Sequence, residues 1–300
     1  MAVLITGASG FIGRRLTDKL LNDKQQVITL SRQHNKIDIF CDLSKGMPSS
    51  EILKNIDTVF HLAAISSDID INNDEEYEKI NVDTVINLAD LASRNGVRNF
   101  IFISSVKAGG KNKQQKCSTE YDCNEPEGIY AKTKRKAELG LIELSKKSSL
   151  NVKIIRPAPV YGPDCKGNLK TMFNGVKQGW LPRLKIINNK RSLIHIDDLV
   201  DFIVLISKDN KKSGEIYILT DNQNYCTQDI YDSMCSSIGK SIPKWSVPYV
   251  LINSLRYLHP RIEYIIGKLV ESECYRSKKI KQTGFFPKKT IWSNDAWVKK

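Results

Sequence analysis

The stretch Thr6-Gly7-Ala8-Ser9-Gly10-Phe11-Ile12-Gly13 directly follows the apolar run Ala2-Val3-Leu4-Ile5. A dinucleotide-binding turn needs glycines because the strand must turn sharply, the backbone must approach a pyrophosphate and the next helix must pack on the sheet. Gly7, Gly10 and Gly13 fill these three roles. A helix that starts near Gly10 directs free N–H groups and its positive dipole end at the phosphates. The stretch therefore predicts a dinucleotide site.

The rest of the chain alternates between two hydrophobic periodicities. Apolar strands are predicted near 2–5, 26–30, 37–41, 57–62, 98–104 and 151–156, and helices near 11–22, 49–55, 75–95 and 128–148. This alternation predicts an α/β fold with a doubly wound parallel (Rossmann) sheet. Such a sheet binds its ligands beyond the carboxyl ends of the strands.

A candidate proton donor lies in Tyr130-Ala131-Lys132-Thr133-Lys134. On a helix, Tyr130 and Lys134 share one face with Cβ atoms about 5–6 Å apart. An ammonium beside a phenol favours the phenolate, which suits a group that exchanges protons near neutral pH. Taken alone, the pattern also describes a surface tyrosine on a lysine-rich helix.

The glycine spacing resembles the extended short-chain dehydrogenase/reductase (NAD-dependent epimerase/dehydratase) family, over roughly residues 2 to 200. The matching motifs, in chain order, are His61-Leu62-Ala63-Ala64, Ser104-Ser105, Arg156-Pro157-x-x-Val160-Tyr161-Gly162 and the segment from Arg191 to Leu199. Ser105 lies 25 positions before Tyr130, a separation that fits a strand end beside a helix. With these motifs present, the catalytic interpretation of Tyr130 and Lys134 is favoured.

The resemblance implies a set of site residues. Lys134 is expected to hold the nicotinamide ribose, and Ser105, with Ser104 as a second candidate, to bind the substrate oxygen. Expected cofactor contacts are Gly7, Ser9, Gly10, Phe11, Ile12, Gly13, Ser31, Arg32, Asp42, Leu43, Leu62, Ala63, Ala64, Tyr130, Lys134 and Pro157. Expected substrate contacts are Ser105, Asn168 and Arg191, the last two for the sugar lobe and diphosphate of a nucleotide sugar.

The choice of cofactor depends on the end of the second strand. NAD enzymes usually carry an acid there for the ribose 2′-hydroxyl, whereas an arginine accepts a 2′-phosphate. Arg32 occupies this region and no acid follows until Asp38. NADP is therefore preferred and NAD stays possible, as does an Arg32 without a role. By family position, Asp42 is expected near the adenine.

Arg191 suits a diphosphate because its planar fork donates two parallel hydrogen bonds. The alternative is a salt bridge from Arg191 to Asp197 or Asp198. His195 is interpreted as a core residue of a strand.

Three functions are considered. Val106-Lys107 stands where dehydratases of the family carry an acidic pair, which argues against dehydration. The stretch 102–110 resembles bacterial reductases of UDP-2-acetamido-2,6-dideoxy-hexuloses, so reduction of a 4-keto nucleotide sugar for surface polysaccharide is the first hypothesis. A nucleotide-sugar 4-epimerase is the second, although acids stand where epimerases carry another arginine, with Arg276 a doubtful substitute. A non-catalytic NAD(P)-binding sensor or scaffold is the third.

The resemblance also implies a division of the chain. Residues 1–162 plus about 194–220 are expected to form the Rossmann domain, and 163–193 plus 221–300 a smaller C-terminal substrate lobe. A homodimer through the helices at 75–95 and 128–148 is expected.

Composition limits the remaining possibilities. The chain has 300 residues, 41% of them hydrophobic, and no run long enough to span a bilayer. With its first strand close to residue 1, it is expected to be cytoplasmic. Its seven scattered cysteines form no metal-ligand spacing and are expected to be reduced, and no metal site is proposed.

The net charge of +13 is concentrated near the end of the chain, where residues 241–300 hold 12 Lys and Arg against 4 Asp and Glu. Two apolar stripes at helical spacing, 250–258 and 262–270, lie in the same region. They are expected to be core-facing helices with a solvated basic surface. The alternative is a basic amphipathic surface that makes weak contact with anionic lipid or a membrane partner, or attracts a sugar nucleotide. Nucleic-acid binding is not expected.

Overall fold

The structure is a computed structural model. It describes residues 2–32, 39–66, 74–112, 116–185, 189–209, 213–254, 257, 263, 266–267 and 269–299.

Eleven strands are present in these residues. They are β1 (Ala2–Thr6), β2 (Gln26–Ser31), β3 (Ile39–Phe40), β4 (Ile56–His61), β5 (Asn99–Ile103), β6 (Asn151–Pro157), β7 (Val160–Tyr161), β8 (Leu184–Lys185), β9 (Ile194–His195), β10 (Glu215–Leu219) and β11 (Val247–Pro248). Seven form one sheet in the order β10-β6-β5-β4-β1-β2-β3, and every neighbouring pair is parallel. The predicted parallel α/β fold is confirmed, and the strand order reverses between β1 and β4.

Nine α-helices accompany the strands in the described part of the chain. They are α1 (Phe11–Asn22), α2 (Ser50–Leu53), α3 (Asp74–Glu78), α4 (Thr84–Arg94), α5 (Ile129–Lys147), α6 (Gly167–Gln178), α7 (Ile196–Ser207), α8 (Thr227–Ser237) and α9 (Tyr249–Ser254). The single helix predicted over 75–95 is instead α3, a π-helical turn at Lys79–Asp83, and α4. The turn carries Asn81, whose side-chain amide exchanges two hydrogen bonds with the backbone of Ile65, at 2.9 and 3.0 Å.

The sheet is buried on both faces, which explains why its strands are continuous apolar runs. Val3 and Ile5 belong to a core with Leu16 of α1 and residues of α7. Alternate positions such as Leu4 belong to the opposite core, formed with α4 and α5. This packing holds the carboxyl ends of the strands at one edge.

Two short sheets lie outside the main one, β7 with β9 and β8 with β11. A separate apolar cluster includes Tyr161, Met234 and Trp297. The proposed division of the chain into two domains stays a prediction.

The two C-terminal apolar stripes differ in burial. Ile266 is 4% exposed and packs with Leu184, as a core-facing helix requires. Val250 and Leu251 in α9 are 75% and 60% exposed, so the prediction that the first stripe faces a core is wrong for them. Within the described residues, no helix is long and apolar enough to cross a membrane.

The expectation of reduced cysteines is wrong for two of the seven. Cys117 and Cys274 form a disulfide that joins segments 157 positions apart. Nearby backbone pairing between Ser118 and Tyr275 aligns the same two segments, and this pairing brings the thiols together. Their separation along the chain hid the pair from sequence analysis.

Candidate active site

The glycine turn has the geometry that its sequence predicts. Gly7 has φ +71°, and a Cβ there would lie 2.7 Å from the backbone nitrogen of Ala63. A Cβ on Gly13 would overlap the carbonyl oxygen of Gly7, so the start of α1 packs directly on the turn. The amide of Gly10 donates to the Gly7 carbonyl at 3.0 Å and closes the turn.

The turn fits the phosphates of a dinucleotide. Gly10 caps α1 with extended backbone and no side-chain hydrogen bond, so no side chain caps the first amides of the helix. A Cβ on Gly10 would meet only the Gly7 carbonyl oxygen within 4 Å, which leaves this face open to close approach. Ser9 is exposed, and Phe11 and Ile12 are half-buried at the same end of the helix. Aligned amides at a helix start bind anions.

Thr6 ties the turn to the end of β4. Its hydroxyl shares a hydrogen bond with Nδ1 of His61 at 3.0 Å and accepts one from the Ala63 amide at 3.3 Å. The Leu62 amide donates to the Thr6 carbonyl at 3.2 Å. Burial, with a smaller effect from Lys134, lowers the pKa of His61 to about 3, so the imidazole is neutral. The expected cofactor contacts Leu62, Ala63 and Ala64 thus follow β4 in the chain, and the first two lie beside the glycine turn.

Lys134 belongs to α5, and its side chain reaches the carboxyl end of β5. The residue is 2% exposed, and its ammonium donates to the Ile103 carbonyl at 2.8 Å and lies 4.5 Å from the centroid of the Phe102 ring. Two strand spacings, about 10 Å, separate this position from β1 and the glycine turn. Burial lowers the pKa of Lys134 to about 7, against the opposing effect of Glu138. The ammonium therefore exchanges its proton near neutral pH.

Tyr130 is the second residue of α5 and lies one helical turn before Lys134. Its side chain is half-buried. The ammonium of Lys107 lies 5.7 Å from the centroid of its ring. A cation from the turn after β5 therefore lies beside this ring, and Lys134 follows one helical turn later on the same helix. The contact of Lys107 with Tyr130 was not identified from the sequence, where Lys107 served only as evidence against dehydration.

The two serines after β5 point to different partners. Ser105 is half-buried and caps the short 3₁₀ helix Val106–Gly109, where its Oγ accepts from the Lys107 amide at 3.3 Å. Ser104 is 4% exposed and donates to the Glu138 carboxylate at 2.5 Å. Because that hydroxyl is buried and bonded to Glu138, the structure favours Ser105 over Ser104 for contact with a substrate, and the catalytic role of Ser104 stays a prediction.

A buried ion pair behind Lys134 was missed by the sequence analysis. Glu138 is fully buried and accepts two hydrogen bonds from the guanidinium of Arg156, at 2.8 and 2.6 Å. Glu138 lies four positions after Lys134 on α5, a spacing that would have placed it on the same face. Pro157, an expected cofactor contact, is the last residue of β6 and follows Arg156 directly.

The region expected to bind the adenosine end lies beyond β2. Ser31 closes β2, and Arg32 is exposed directly after it. Hydrogen bonds from the hydroxyl and amide of Ser44 hold the pKa of the Asp42 carboxyl below its usual range, with a smaller effect of Arg32. Leu43 is fixed through its carbonyl, which accepts from Thr84 at 3.2 Å. Asp38, used in the argument for NADP, lies outside the described residues.

The other two expected substrate contacts, besides Ser105, lie in different settings. Asn168 is exposed in the first turn of α6. Arg191 is half-buried with its guanidinium 3.6 Å from the Glu273 carboxylate and 3.4 Å from the Glu271 carbonyl. Asp197 is not its partner.

The alternative partners of Arg191 are themselves engaged. Asp197 pairs with Arg15 at 2.5 Å and Lys289 at 2.8 Å, and Asp198 accepts from the amide of Lys289. The predicted alternative salt bridge of Arg191 is therefore wrong. His195 is buried on β9, as interpreted, and Arg276 is exposed with its amide bonded to the Ser118 carbonyl.

Comparisons with known proteins agree with this arrangement. The sequence profile of the NAD dependent epimerase/dehydratase family matches residues 3–219. A UDP-glucose 4-epimerase of Vibrio cholerae is 33% identical over 82% of this chain and 78% of its own length. An N-acetyl-α-D-glucosaminyl-diphospho-ditrans,octacis-undecaprenol 4-epimerase of Escherichia coli O157:H7 is 29% identical over 97% of this chain and 89% of its own.

Solved structures share the fold at low identity. The UDP-glucuronic acid 4-epimerase of Bacillus cereus, solved with NAD, has a TM-score of 0.79 at 20% identity, covering 99% of this chain and 97% of that one.

Proposed function

Because the chain belongs to the NAD dependent epimerase/dehydratase family, we propose that it is a 4-epimerase of a hexose or N-acetylhexosamine carried on a diphosphate. Both relatives described above are enzymes named as 4-epimerases of sugars carried on a diphosphate. The 4-keto reductase hypothesis from the sequence is a narrower assignment that shares the same catalytic groups. Reduction of a 4-keto nucleotide sugar is the second candidate function.

One observation carries the proposal: a buried ammonium with a pKa near neutrality lies one helical turn from Tyr130 and at the strand edge that holds the glycine turn. The chemistry that a bound nicotinamide supplies is reversible hydride exchange at C4. The phenolate of Tyr130 takes the proton of the C4 hydroxyl as the ketone forms, and the resulting phenol returns that proton to the C4 oxygen when the alcohol is restored. Lys134 and Lys107 stabilise the phenolate during this exchange.

Ser105 supplies the hydrogen bond to the same sugar oxygen. Its hydroxyl accepts from the Lys107 amide, which leaves its own proton to donate towards the substrate. The glycine turn and the start of α1 hold the cofactor phosphates. Arg191, although it also contacts Glu273, provides the cation for the substrate diphosphate.

The experiment that tests the epimerase follows product and cofactor together. UDP-glucose and UDP-N-acetylglucosamine are expected to convert to their C4 epimers with no net change in nicotinamide absorbance. Tyr130→Phe is expected to lower kcat roughly 10²- to 10⁴-fold, while Tyr121→Phe, at a 65% exposed tyrosine, leaves it unchanged. Stoichiometric oxidation of NADPH with a UDP-4-keto sugar, and no epimerisation, would support the reductase instead.

The carrier of the sugar has two candidates that share a diphosphate. One is a uridine diphosphate, as in the name of the Vibrio cholerae relative, and the other is a polyprenyl diphosphate, as in that of the Escherichia coli relative. Parallel assays with UDP-N-acetylglucosamine and with detergent-solubilised undecaprenyl-diphosphate N-acetylglucosamine separate the two. Conversion in neither assay, together with no oxidation of NADPH by a UDP-4-keto sugar although the cofactor binds, would leave the sensor or scaffold hypothesis in its place.

The preference for NADP rests on Arg32. An exposed guanidinium directly after β2 suits a 2′-phosphate. Arg32→Ala is expected to weaken NADP binding roughly tenfold and to leave NAD binding almost unchanged. Tighter binding of NAD by the unsubstituted chain would contradict the preference. The homodimer and the cytoplasmic location stay predictions, which gel filtration and cell fractionation test.

A further inference from the structure

Six large apolar side chains that the fold leaves exposed lie on two segments outside the main sheet. We call this set the lobe surface: Trp180 (57% exposed), Ile242 (41%), Trp245 (65%), Val250 (75%), Leu251 (60%) and Tyr257 (88%). Single exposed apolar residues are ordinary, but a group that includes two tryptophans and a tyrosine marks an interaction site.

Backbone contacts bring the two segments together. β8 and β11 pair in parallel, and the Val247 amide donates to the Arg183 carbonyl at 2.9 Å. The ammonium of Lys240 donates to the carbonyls of Val176 and Lys177, at 3.0 and 2.6 Å. The stretch that carries Ile242 and Trp245 therefore runs beside the loop that carries Trp180, and α9 with Val250 and Leu251 follows β11 directly.

The same two segments hold most of the net charge of the protein. Residues 165–196 and 233–262 contain 11 Lys and Arg and no Asp or Glu, whereas the rest of the chain has 35 Lys and Arg against 33 acids. Lys177, Lys185, Lys240 and Lys244 are exposed among the apolar residues. The lobe surface is thus apolar and carries exposed cations.

We propose that the lobe surface binds the anionic face of a lipid bilayer. Tryptophan and tyrosine favour the boundary between headgroups and acyl chains, and each nearby lysine adds attraction to anionic lipid. A second copy of the chain is a poorer occupant, because like charges would face each other across the contact. A soluble sugar nucleotide complements the charge but leaves Val250 and Leu251 in water.

The lobe surface is connected to the expected substrate site. Ile266 and Leu269 pack against Leu184 of β8 and Val247 of β11. Four residues after Leu269 along the chain comes Glu273, whose carboxylate lies beside Arg191. Binding at a bilayer would therefore hold the diphosphate end of the site near the lipid headgroups. The proposal does not depend on the proposed reaction, since binding to vesicles is measured without substrate.

The test uses the full chain with vesicles of phosphatidylglycerol and phosphatidylcholine, and with phosphatidylcholine alone. Co-sedimentation is expected with the anionic vesicles at low salt and is expected to fall sharply at high salt. The double variant Trp180→Ser/Trp245→Ser and the double variant Lys177→Gln/Lys244→Gln are each expected to weaken binding roughly 10- to 30-fold. Phe286→Ser, at a 63% exposed position on another surface, is the matched control and is expected to bind normally.

Tryptophan fluorescence gives an independent readout. In a Trp292→Phe variant, brominated lipid is expected to quench the exposed tryptophans, since Trp297 is 3% exposed and lies in a core. Normal thermal unfolding of each variant shows that it folds. Absence of binding to anionic vesicles, or equal binding by the double variants and the control, overturns the proposal. A loss of self-association in the tryptophan variant with vesicle binding unchanged does the same and assigns the surface to a second copy.

Discussion

The carboxylate of Glu138 accepts two hydrogen bonds from the guanidinium of Arg156, and both side chains are fully buried. Ser104 donates to the same carboxylate, and Lys134 lies one helical turn away on α5. This ion pair joins α5 to β5 and β6 directly behind the candidate catalytic lysine. Its position explains how a buried lysine can be held in place at the edge of the sheet.

Removing the charge of Glu138 is expected to destabilise the fold. Glu138→Gln leaves the Arg156 guanidinium buried without an anion, which costs about 3–5 kcal/mol in the free energy of unfolding. Glu143→Gln, on the same helix but exposed with its lysine partners, is expected to change it by less than about 1 kcal/mol. Urea unfolding of both variants measures the difference, and equal effects would refute a special role for the buried pair.

Ser104 and Ser105 form a matched pair of neighbours with opposite expected effects. Ser105→Ala is expected to lower kcat roughly 10²-fold, since it removes a hydrogen-bond donor to the reacting oxygen. Ser104→Ala is expected to cost about 1–3 kcal/mol of stability through the lost bond to Glu138, with kcat nearly unchanged at temperatures where the variant is folded. Steady-state kinetics and urea unfolding of each variant check both. A larger loss of kcat from Ser104→Ala would restore it as a catalytic group.

Lys134 should make the stability of the cofactor-free protein depend on pH. Its pKa is lowered to about 7 in the folded chain, whereas an unfolded lysine has a pKa of about 10.4. Between about pH 7 and pH 10 the unfolded chain therefore binds the extra proton. Stability contributed by this site rises with pH across that window, by up to about 1.4 kcal/mol per pH unit, and is flat below it.

The variant Lys134→Met lacks this titration and serves as the reference. The difference in unfolding free energy, unsubstituted chain minus Lys134→Met, is expected to increase from neutral to alkaline pH. Urea unfolding at several pH values measures it, and the other titrating groups cancel in the subtraction. A difference that stays constant with pH would show that Lys134 keeps an ordinary pKa.

A count of free thiols tests whether Cys117 and Cys274 form a disulfide. Alkylation of the unfolded, unreduced chain is expected to modify the five free cysteines, Cys41, Cys123, Cys165, Cys226 and Cys235. Cys117→Ser frees Cys274 and raises the mass-spectrometric count to six, whereas Cys165→Ser lowers it to four. Modification of all seven in the unsubstituted chain would mean that the pair is reduced, as the composition suggested.

Much of the architecture could be predicted from local patterns. Apolar runs and helical periodicity located six strands of the main sheet, and Gly7, Gly10 and Gly13 predicted the turn after β1. The prediction of one continuous helix over 75–95 was wrong. The π-helical turn carries Asn81, which bonds to the backbone of Ile65, and hydrophobic periodicity does not report a contact between residues 16 positions apart. Val250 and Leu251 have the spacing of a buried helix face, yet the fold places no core against them.

By itself, the sequence determined the parallel α/β fold, the glycine turn and the spacing of Tyr130 and Lys134, because turns, strands and helix faces depend on residues close together in the chain. Tertiary structure alone decided which serine stays free of a buried carboxylate, which acid partners Arg156 and Arg191, and which cysteines join. Those outcomes depend on contacts between distant segments. Their energies come from burial and desolvation, which exist only after the chain has packed.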